Sequence, residues 1–390
     1  MRPAASRSPR GAIAIGVAAT VVGGLPGFVT GVMVVQLTRD LGFGVAGLGL
    51  AMSFYYGVGA ALSVHLGRLV DILGAARSLR LAGAGTAVAV WGIAATADRL
   101  SVLIAWLSLA GAAHMLGQPA ANRLLVNRVG AARLGTAFGV KQSAPGVASM
   151  LAGLSVPAIA LTVGWRWTYV LCGVLAVIVV VSVGKPMVRP PGRQERGPRP
   201  PLRDRSTIVL LTFAFAFAFG ANAITLAFYV DSAVVAGATQ SVAGTVFAVA
   251  SVAAIVTRLV AGVICDRTRV VPLRLAASLL AGGSVGLVML ATGRPTLMVV
   301  GIVIALGLTW GFPGVFWLAL IRAYPDQPGR ITGALQPGGF GAMLAPLVFG
   351  LIVEAVGYGP GWLFTAGTSV VAATIMFVAA GRLTGPDPAG

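Results

Sequence analysis

The sequence predicts an all-α membrane protein with twelve transmembrane helices in two pseudo-symmetric six-helix bundles. Three observations predict it. The chain of 390 residues is 57% hydrophobic and only 10% charged, where a soluble domain carries about 25% charge. Its apolar residues gather into twelve runs, each near the ~20 residues that a helix needs to cross a bilayer. Two short patterns also recur half a chain apart at nearly one offset.

The runs cover 11–36, 43–66, 78–97, 100–127, 134–163, 166–184, 206–231, 238–265, 272–292, 296–321, 331–356 and 360–381. Their length predicts helices, because barrel strands alternate over about 10 residues. The 54 glycines suit a tightly packed bundle, since small residues let helices approach closely in lipid. The opening segment MRPAASRSPR is basic and has no small-residue cleavage site. It reads as a cytoplasmic tail and not as a cleaved signal. Trp165 and Trp167 read as an outer interfacial belt. Residues 185–205, KPMVRPPGRQERGPRPPLRDR, are dominated by proline, glycine and arginine. That composition predicts a flexible cytoplasmic linker between residues 1–184 and 206–390.

Orientation follows from the basic residues. With the N-terminus inside, 22 of the 28 lie in or beside inner segments, and Arg39, Arg99, Arg166 and Arg294 lie outside. Both termini are then cytoplasmic, and a bacterial cytoplasmic membrane is the expected location. The formal net charge of +18 is spread through short gaps between apolar runs. It therefore argues for a lipid bilayer as partner and against nucleic acid. Cys172 and Cys265 lie far apart within apolar runs and offer neither metal spacing nor a disulfide framework. No nucleophile–base pair, metal cluster or phosphate loop is present, so an enzyme is not expected. No cofactor is implied, and a monomer is expected.

The repeat divides the chain into six spans plus six. Gly67-Arg-Leu-Val-Asp71 after span 2 matches Gly262-Val-Ile-Cys-Asp266 after span 8, 195 residues on. Gly117-Gln-Pro119 in span 4 matches Gly311-Phe-Pro313 in span 10, 194 residues on. Paired six-span repeats around a central site are a transporter architecture. On these residues the chain resembles the major facilitator superfamily over essentially its whole length. That family's signature after span 2 has the form Gly-x-x-x-Asp-basic-x-Gly-basic-basic. Gly67, Asp71 and Gly74 fit it. Ile72, Ala75 and Ala76 depart, so Arg77 or Arg80 would supply the charge. The second copy keeps Gly262, Asp266 and Arg267 but lacks the second glycine. The resemblance implies that these two loops close the cytoplasmic side when the transporter faces outward.

Two cations remain inside predicted spans, Lys141 and Arg258. A charge there costs about 2.5–3.5 kcal/mol on insertion scales, so each is a functional candidate. Arg258 precedes Gly262 by one helical turn. Arg-x-x-x-Gly in span 8 is similar to the pattern of the monocarboxylate and oxalate/formate branches, where the arginine faces the substrate carboxylate. A guanidinium matches a carboxylate bidentately. Alternatively, Arg258 ties span 8 to a neighbour's carbonyls. Lys141 departs from a chain that otherwise uses arginine, 26 to 2. It sits beside Gln142 and Ser143, just before Pro145. It either faces a ligand or snorkels to the surface.

The ten acids avoid the middle of every span, and Asp231 and Glu354 sit at outer ends. Positive charge without mid-membrane carboxylates points to an anionic substrate. His114 is a candidate proton relay or a packing residue. Gln118 and Asn122 follow it at i+4 and i+8, which gives span 4 one polar stripe. Tyr55, Tyr56, Asn222, Tyr229, Trp310 and Gln336 are further cavity candidates.

The first functional reading is a secondary transporter of a small organic anion, carboxylate-like, bound by Lys141 and Arg258. A coupling proton or counter-anion would balance charge. The second is a proton-coupled efflux pump for drugs or metabolites, for which the run Phe213-Ala-Phe-Ala-Phe-Ala-Phe219 offers apolar surface.

Overall fold

A computed structural model describes residues 8–183, 204–324 and 328–384. Twelve helices in it are long and apolar enough to cross a membrane. Spans 1 to 6 are Pro9–Val32, Val45–Leu73, Ala75–Thr96, Leu100–Arg128, Ala137–Ala160 and Trp165–Ser182. Spans 7 to 12 are Arg205–Val235, Gln240–Arg267, Pro272–Ala291, Pro295–Ala323, Gly333–Val356 and Tyr358–Leu383. Their succession makes two six-helix bundles. The expected linker, 185–205, lies outside the described residues except for Asp204 and Arg205.

Side-chain caps set several helix starts. Asp204 accepts the Thr207 amide at 3.1 Å, and Thr239 Oγ1 accepts the Val242 amide at 3.3 Å. Such caps satisfy backbone donors that a first helical turn leaves unpaired. The hydrogen bonds from Thr207 and Ser206 hold the Asp204 carboxyl below its ordinary range.

Two boundaries differ from the sequence expectation. Span 1 stops at Val32, and a short helix, Val34–Leu41, follows Met33. Hydropathy reads through this break because both sides are apolar. Span 2 runs on to Leu73, so Gly67 and Asp71 lie in its last turns and not in a loop. Gly74, at φ 78°, makes the turn into span 3. Trp165 also departs from its expected place. It is buried, and its indole donates to Asp40 Oδ2 at 2.9 Å. Trp167 is exposed and fits the interfacial reading.

The bundles meet along spans 2 and 11, spans 5 and 8, and spans 1 and 7. Successive spans run alternately away from and back toward the terminal end, so residue number reports depth. The closest approaches lie toward the end of the molecule opposite the chain termini. Gly49 faces the Pro346 carbonyl, and Gly350 packs on the backbone of Val45 and Ala46. Gly153 and Gly244 lie against each other, and Gly31 lies on the backbone of Leu226 and Ala227. A Cβ at any of these would collide with backbone, so glycine sets the spacing. Polar contacts cross the same seam. Gln36 Nε2 donates to Gln240 Oε1 at 2.6 Å, Ser149 to Ser251 at 2.8 Å, and the Ala46 amide to Glu354 Oε1 at 2.9 Å.

Toward the terminal end the same four spans carry glycines with open space around them. A side chain added at Gly67 (span 2), Gly139 (span 5), Gly262 (span 8) or Gly333 (span 11) would meet nothing within 4 Å. The bundles are therefore in close contact at the far end, while these four glycines have open space around them at the terminal end.

Candidate functional site

Helix interruptions fall in spans 5, 10 and 11. Span 5 is broken at Ser143, between the helices Ala131–Gln142 and Ala144–Ser155. Pro145 has no amide proton and cannot continue the hydrogen-bond ladder. Span 10 stops at Thr309 and restarts at Phe312. Span 11 is interrupted by the 3-10 turn Gln336–Gly339, which contains Pro337. Broken helices at membrane depth are tolerated where they line a cavity or are covered by protein. Gly139, Lys141 and Gln142 correspond to Gly333, Leu335 and Gln336, 194 residues on. The second break thus repeats the first, with a buried leucine in place of the lysine.

Lys141 is 2% exposed, so it does not snorkel. Its Nζ donates to Gln118 Oε1 at 2.8 Å. Gln118 Nε2 lies 3.4 Å from His114 Nε2. The His114 ring stacks on Tyr55 with centroids 6.1 Å apart, and the Tyr55 hydroxyl donates to the Gly23 carbonyl at 3.1 Å. Three residues predicted from sequence, Lys141, Gln118 and His114, therefore form one polar chain between spans 5 and 4. Asn122 continues the stripe, and its buried Oδ1 has no partner among the described residues. Tyr56 is half-buried and edge-on to Tyr55 at 5.0 Å.

Arg258 is held by carbonyls. Nε and Nη2 donate to Trp310 O at 3.1 and 2.7 Å, and Nη1 donates to Gln142 O across the seam. Its guanidinium lies over the Trp310 ring, 5.6 Å from the centroid. Gln142 thus acts through its main chain and not through the side chain that its polarity suggested. The Trp310 ring also meets Phe28 of span 1 edge-on at 6.3 Å. A small recess lies between the halves here, lined by Ser143, Gly146, Ala254, Ile255, Arg258 and Trp310.

Lys141 and Arg258 have only neutral acceptors as partners. Among the described residues every ion pair lies elsewhere: Arg39–Asp40, Arg99–Asp98, Arg123–Asp71 and Arg322–Asp266. The region between the halves therefore carries uncompensated positive charge. Asn222 is buried and donates to Thr309 O at 3.4 Å. Gln336 is exposed, at the start of the 3-10 turn of span 11. Tyr229 stacks on Phe247 at 6.2 Å as a packing residue. Phe213 and Phe217 are exposed, while Phe215 and Phe219 stack at 5.3 Å and Phe215 packs on Phe312 and Phe316.

The partners of the signature acids differ from expectation. Asp71 pairs with Arg123 of span 4 at 2.9 Å, and Arg123 also donates to Val70 O at 3.0 Å. Arg77 is exposed, and Arg80 holds Val183 O at 2.7 Å. Asp266 lies 3.7 Å from Arg322 of span 10, which also donates to Cys265 O. Arg267 is exposed beside it. Each half thus repeats one device: an arginine from the fourth span of the half grips the acid and the carbonyl before it. Arg123 and Arg322 are 199 residues apart, off the repeat offset of the acids, so sequence comparison of the halves passes over them.

A sequence profile of the Major Facilitator Superfamily matches residues 16–340. The chain belongs to that superfamily. It is a transporter of small solutes and not an enzyme. No curated protein matches the chain in sequence. Solved structures match its fold. A bacterial homolog to the human lysosomal transporter Spinster, inward-facing and unoccupied, matches at TM-score 0.72 with 15% identity, covering 100% of both chains. The nucleoside transporter NupG matches at TM-score 0.70 with 16% identity, covering 94% of this chain and 98% of that one. At such identities the likeness concerns fold alone.

Proposed function

We propose that this superfamily member is a secondary transporter of a small, carboxylate-like organic anion, working by alternating access in a bacterial cytoplasmic membrane. The observation that carries the reading is Lys141. It is a buried cation with only an amide oxygen for a partner, at a helix break whose copy in the second half holds Leu335. A buried charge without a counter-charge is costly, and an anionic solute would supply that counter-charge. Arg258 adds the second cation. Trp310 O and Gln142 O accept from it, and a carboxylate would compete for the same guanidinium.

The remaining assignments follow from this reading. The excess of basic residues at the terminal end supports a cytoplasmic location for both termini. The form described here then faces inward. Residues 1–184 and 206–390 rock about the seam, with 185–205 as the connection. Gly67, Asp71, Gly74 and Arg77, with Gly262, Asp266 and Arg267, form the cytoplasmic gate. A proton entering with the solute, or a counter-anion leaving against it, balances charge. His114, Gln118, Asn122, Tyr56, Asn222 and Gln336 complete the solute-facing polar set. The protein works as a monomer.

Uptake of labelled mono- and dicarboxylates into proteoliposomes tests this. Wild-type protein accumulates at least one of them, and Lys141→Ala and Arg258→Ala fall close to background. Undiminished uptake in both variants overturns the site. Broad drug resistance without anion uptake overturns the substrate class in favour of an efflux pump.

A further inference from the structure

Buried polar side chains are nearly always hydrogen-bonded, so each orphan needs a reason. Among the described residues nine buried side-chain nitrogen or oxygen atoms lack a partner. Five of them belong to His114, Asn122, Asn222, Thr309 and Trp310, on spans 4, 7 and 10. Asn222 and Thr309 are joined by a hydrogen bond, and Trp310 follows Thr309 in the chain. Asn222 Nδ2 donates to the main chain of Thr309, which leaves Asn222 Oδ1 as an unused acceptor. Trp310, the next residue, has an unused Nε1 donor. Asn222 and Thr309 are each 1% exposed, so bulk water does not serve them.

Thr309 differs from several threonines of the neighbouring spans. Thr20, Thr30, Thr212 and Thr225 each return their hydroxyl to the carbonyl four residues back, at 2.7–2.8 Å. Thr309 makes no such bond, and its methyl faces Gly283. The group also adjoins the cationic pole. Trp310 is the residue whose carbonyl holds Arg258 and whose ring lies beneath it, and it lines the recess with Arg258.

We infer that Asn222 and Trp310 form a hydroxyl-recognition subsite beside Arg258, so that the solute is a hydroxylated organic acid. A hydroxyl both accepts and donates. It would take the Trp310 Nε1 proton and give its own to Asn222 Oδ1, while the carboxylate of the same molecule meets Arg258 and Lys141. A carboxylate alone, which only accepts, would leave Asn222 Oδ1 unpaired. Sites built to hydrogen-bond a hydroxyl discriminate strongly against the analogue that lacks it, because their own buried groups are then left unpaired. The inference rests on the anion reading above and adds the second functional group of the solute.

Matched pairs test it: lactate against propionate, and malate against succinate. The readout is the concentration giving half-maximal thermal stabilisation of the purified protein. Wild-type protein is expected to prefer the hydroxy acid of at least one pair by about tenfold or more. In Trp310→Phe and Asn222→Leu that preference falls below about threefold. A ratio within one preparation is insensitive to a general loss of folding, and a purely structural role for either residue would leave it unchanged. Equal response to both members of a pair overturns the hydroxyl subsite and leaves the anion reading standing. A preference that survives both substitutions overturns the assignment to these residues. Stabilisation by glycerol or uridine with no response to any of the four acids overturns the anion reading, and the hydroxy-acid inference with it.

Discussion

Lys141 donates its ammonium proton to Gln118 Oε1 at 2.8 Å, and this amide is its one hydrogen-bond partner among the described residues. The pair joins span 5 to span 4 inside the first half, so the charge is held in place before any solute arrives. A site held in this way loses little side-chain freedom on binding.

Replacing the lysine by its counterpart from the other half separates function from stability. Lys141→Leu removes a buried charge and keeps most of the volume. Exchanging buried ionic groups for apolar ones is often neutral or stabilising by about 1–4 kcal/mol. The variant is expected to unfold at or above the wild-type temperature while anion uptake drops by at least tenfold. Thermal unfolding in detergent and proteoliposome uptake check both halves of the statement. A destabilised variant with full uptake would make Lys141 a structural residue.

Removing the partner has the opposite stability sign. Gln118→Leu leaves the buried ammonium unpaired, at a cost of about 1–3 kcal/mol. The unfolding temperature falls, and the fall is recovered in the double variant Gln118→Leu/Lys141→Leu. A saturating anion also narrows the gap, since a bound ligand stabilises the folded form. Additive losses in the double variant would show that the two side chains do not act on each other.

Asp40 gives a pH dependence with a fixed sign. Hydrogen bonds from Trp165 and Arg39 hold its carboxyl below the unfolded value near 3.8. A depressed carboxyl contributes stability above the unfolded pKa and loses it as pH falls through the lower folded value. The wild-type advantage over Asp40→Asn in unfolding temperature should therefore be flat above about pH 5 and shrink below about pH 4. A gap that widens in acid contradicts the pairing. Asp40 is more than one-third exposed, so the effect is a modest one.

The Lys141 and Asp40 cases mark what was legible in the sequence. Lys141 stood out because hydropathy leaves it over, and its rank rests on composition alone. The same count found Arg258 but not its partners, because carbonyls that become free at helix breaks have no residue signature. Spans were legible to within a few residues, except where Met33 breaks span 1 between two apolar stretches and where span 2 carries the signature acid to its end. Trp165 looked like a membrane anchor because a tryptophan beside a loop is ambiguous until its Asp40 partner is known. Arg123 and Arg322 were hidden for a different reason. They belong to the repeat in space but lie off its register in sequence.

The far-end seal predicts the bias between the two access states. Glu354 of span 11 accepts the Ala46 amide in the first turn of span 2. A carboxylate at a helix N-terminus contributes about 0.3–1 kcal/mol, and here that energy joins the two halves. Glu354→Ala should raise the population open at the far end by about two- to fivefold. Distances between spin labels at the exposed residues Ile72 and Thr268 report the shift. An unchanged distance distribution would show that the contact is made equally in both states.

Gly262 gives the converse test at the terminal end. A side chain there meets open space in the form described here, and leucine in place of glycine favours a helix by up to about 1 kcal/mol. Gly262→Leu should thus leave the unfolding temperature unchanged or raise it. Closure of the terminal end must bring span 8 toward span 5 of the other half, and the added side chain then occupies the space that closure removes. Uptake is expected to fall by more than tenfold, with the Ile72–Thr268 distances held at the separated value and anion binding retained. Gly67→Leu on span 2 should behave alike, because it is the repeat counterpart of Gly262 and also has open space around it. Full uptake in both variants would mean that these glycines lie outside the closing surface and that the gate is built elsewhere.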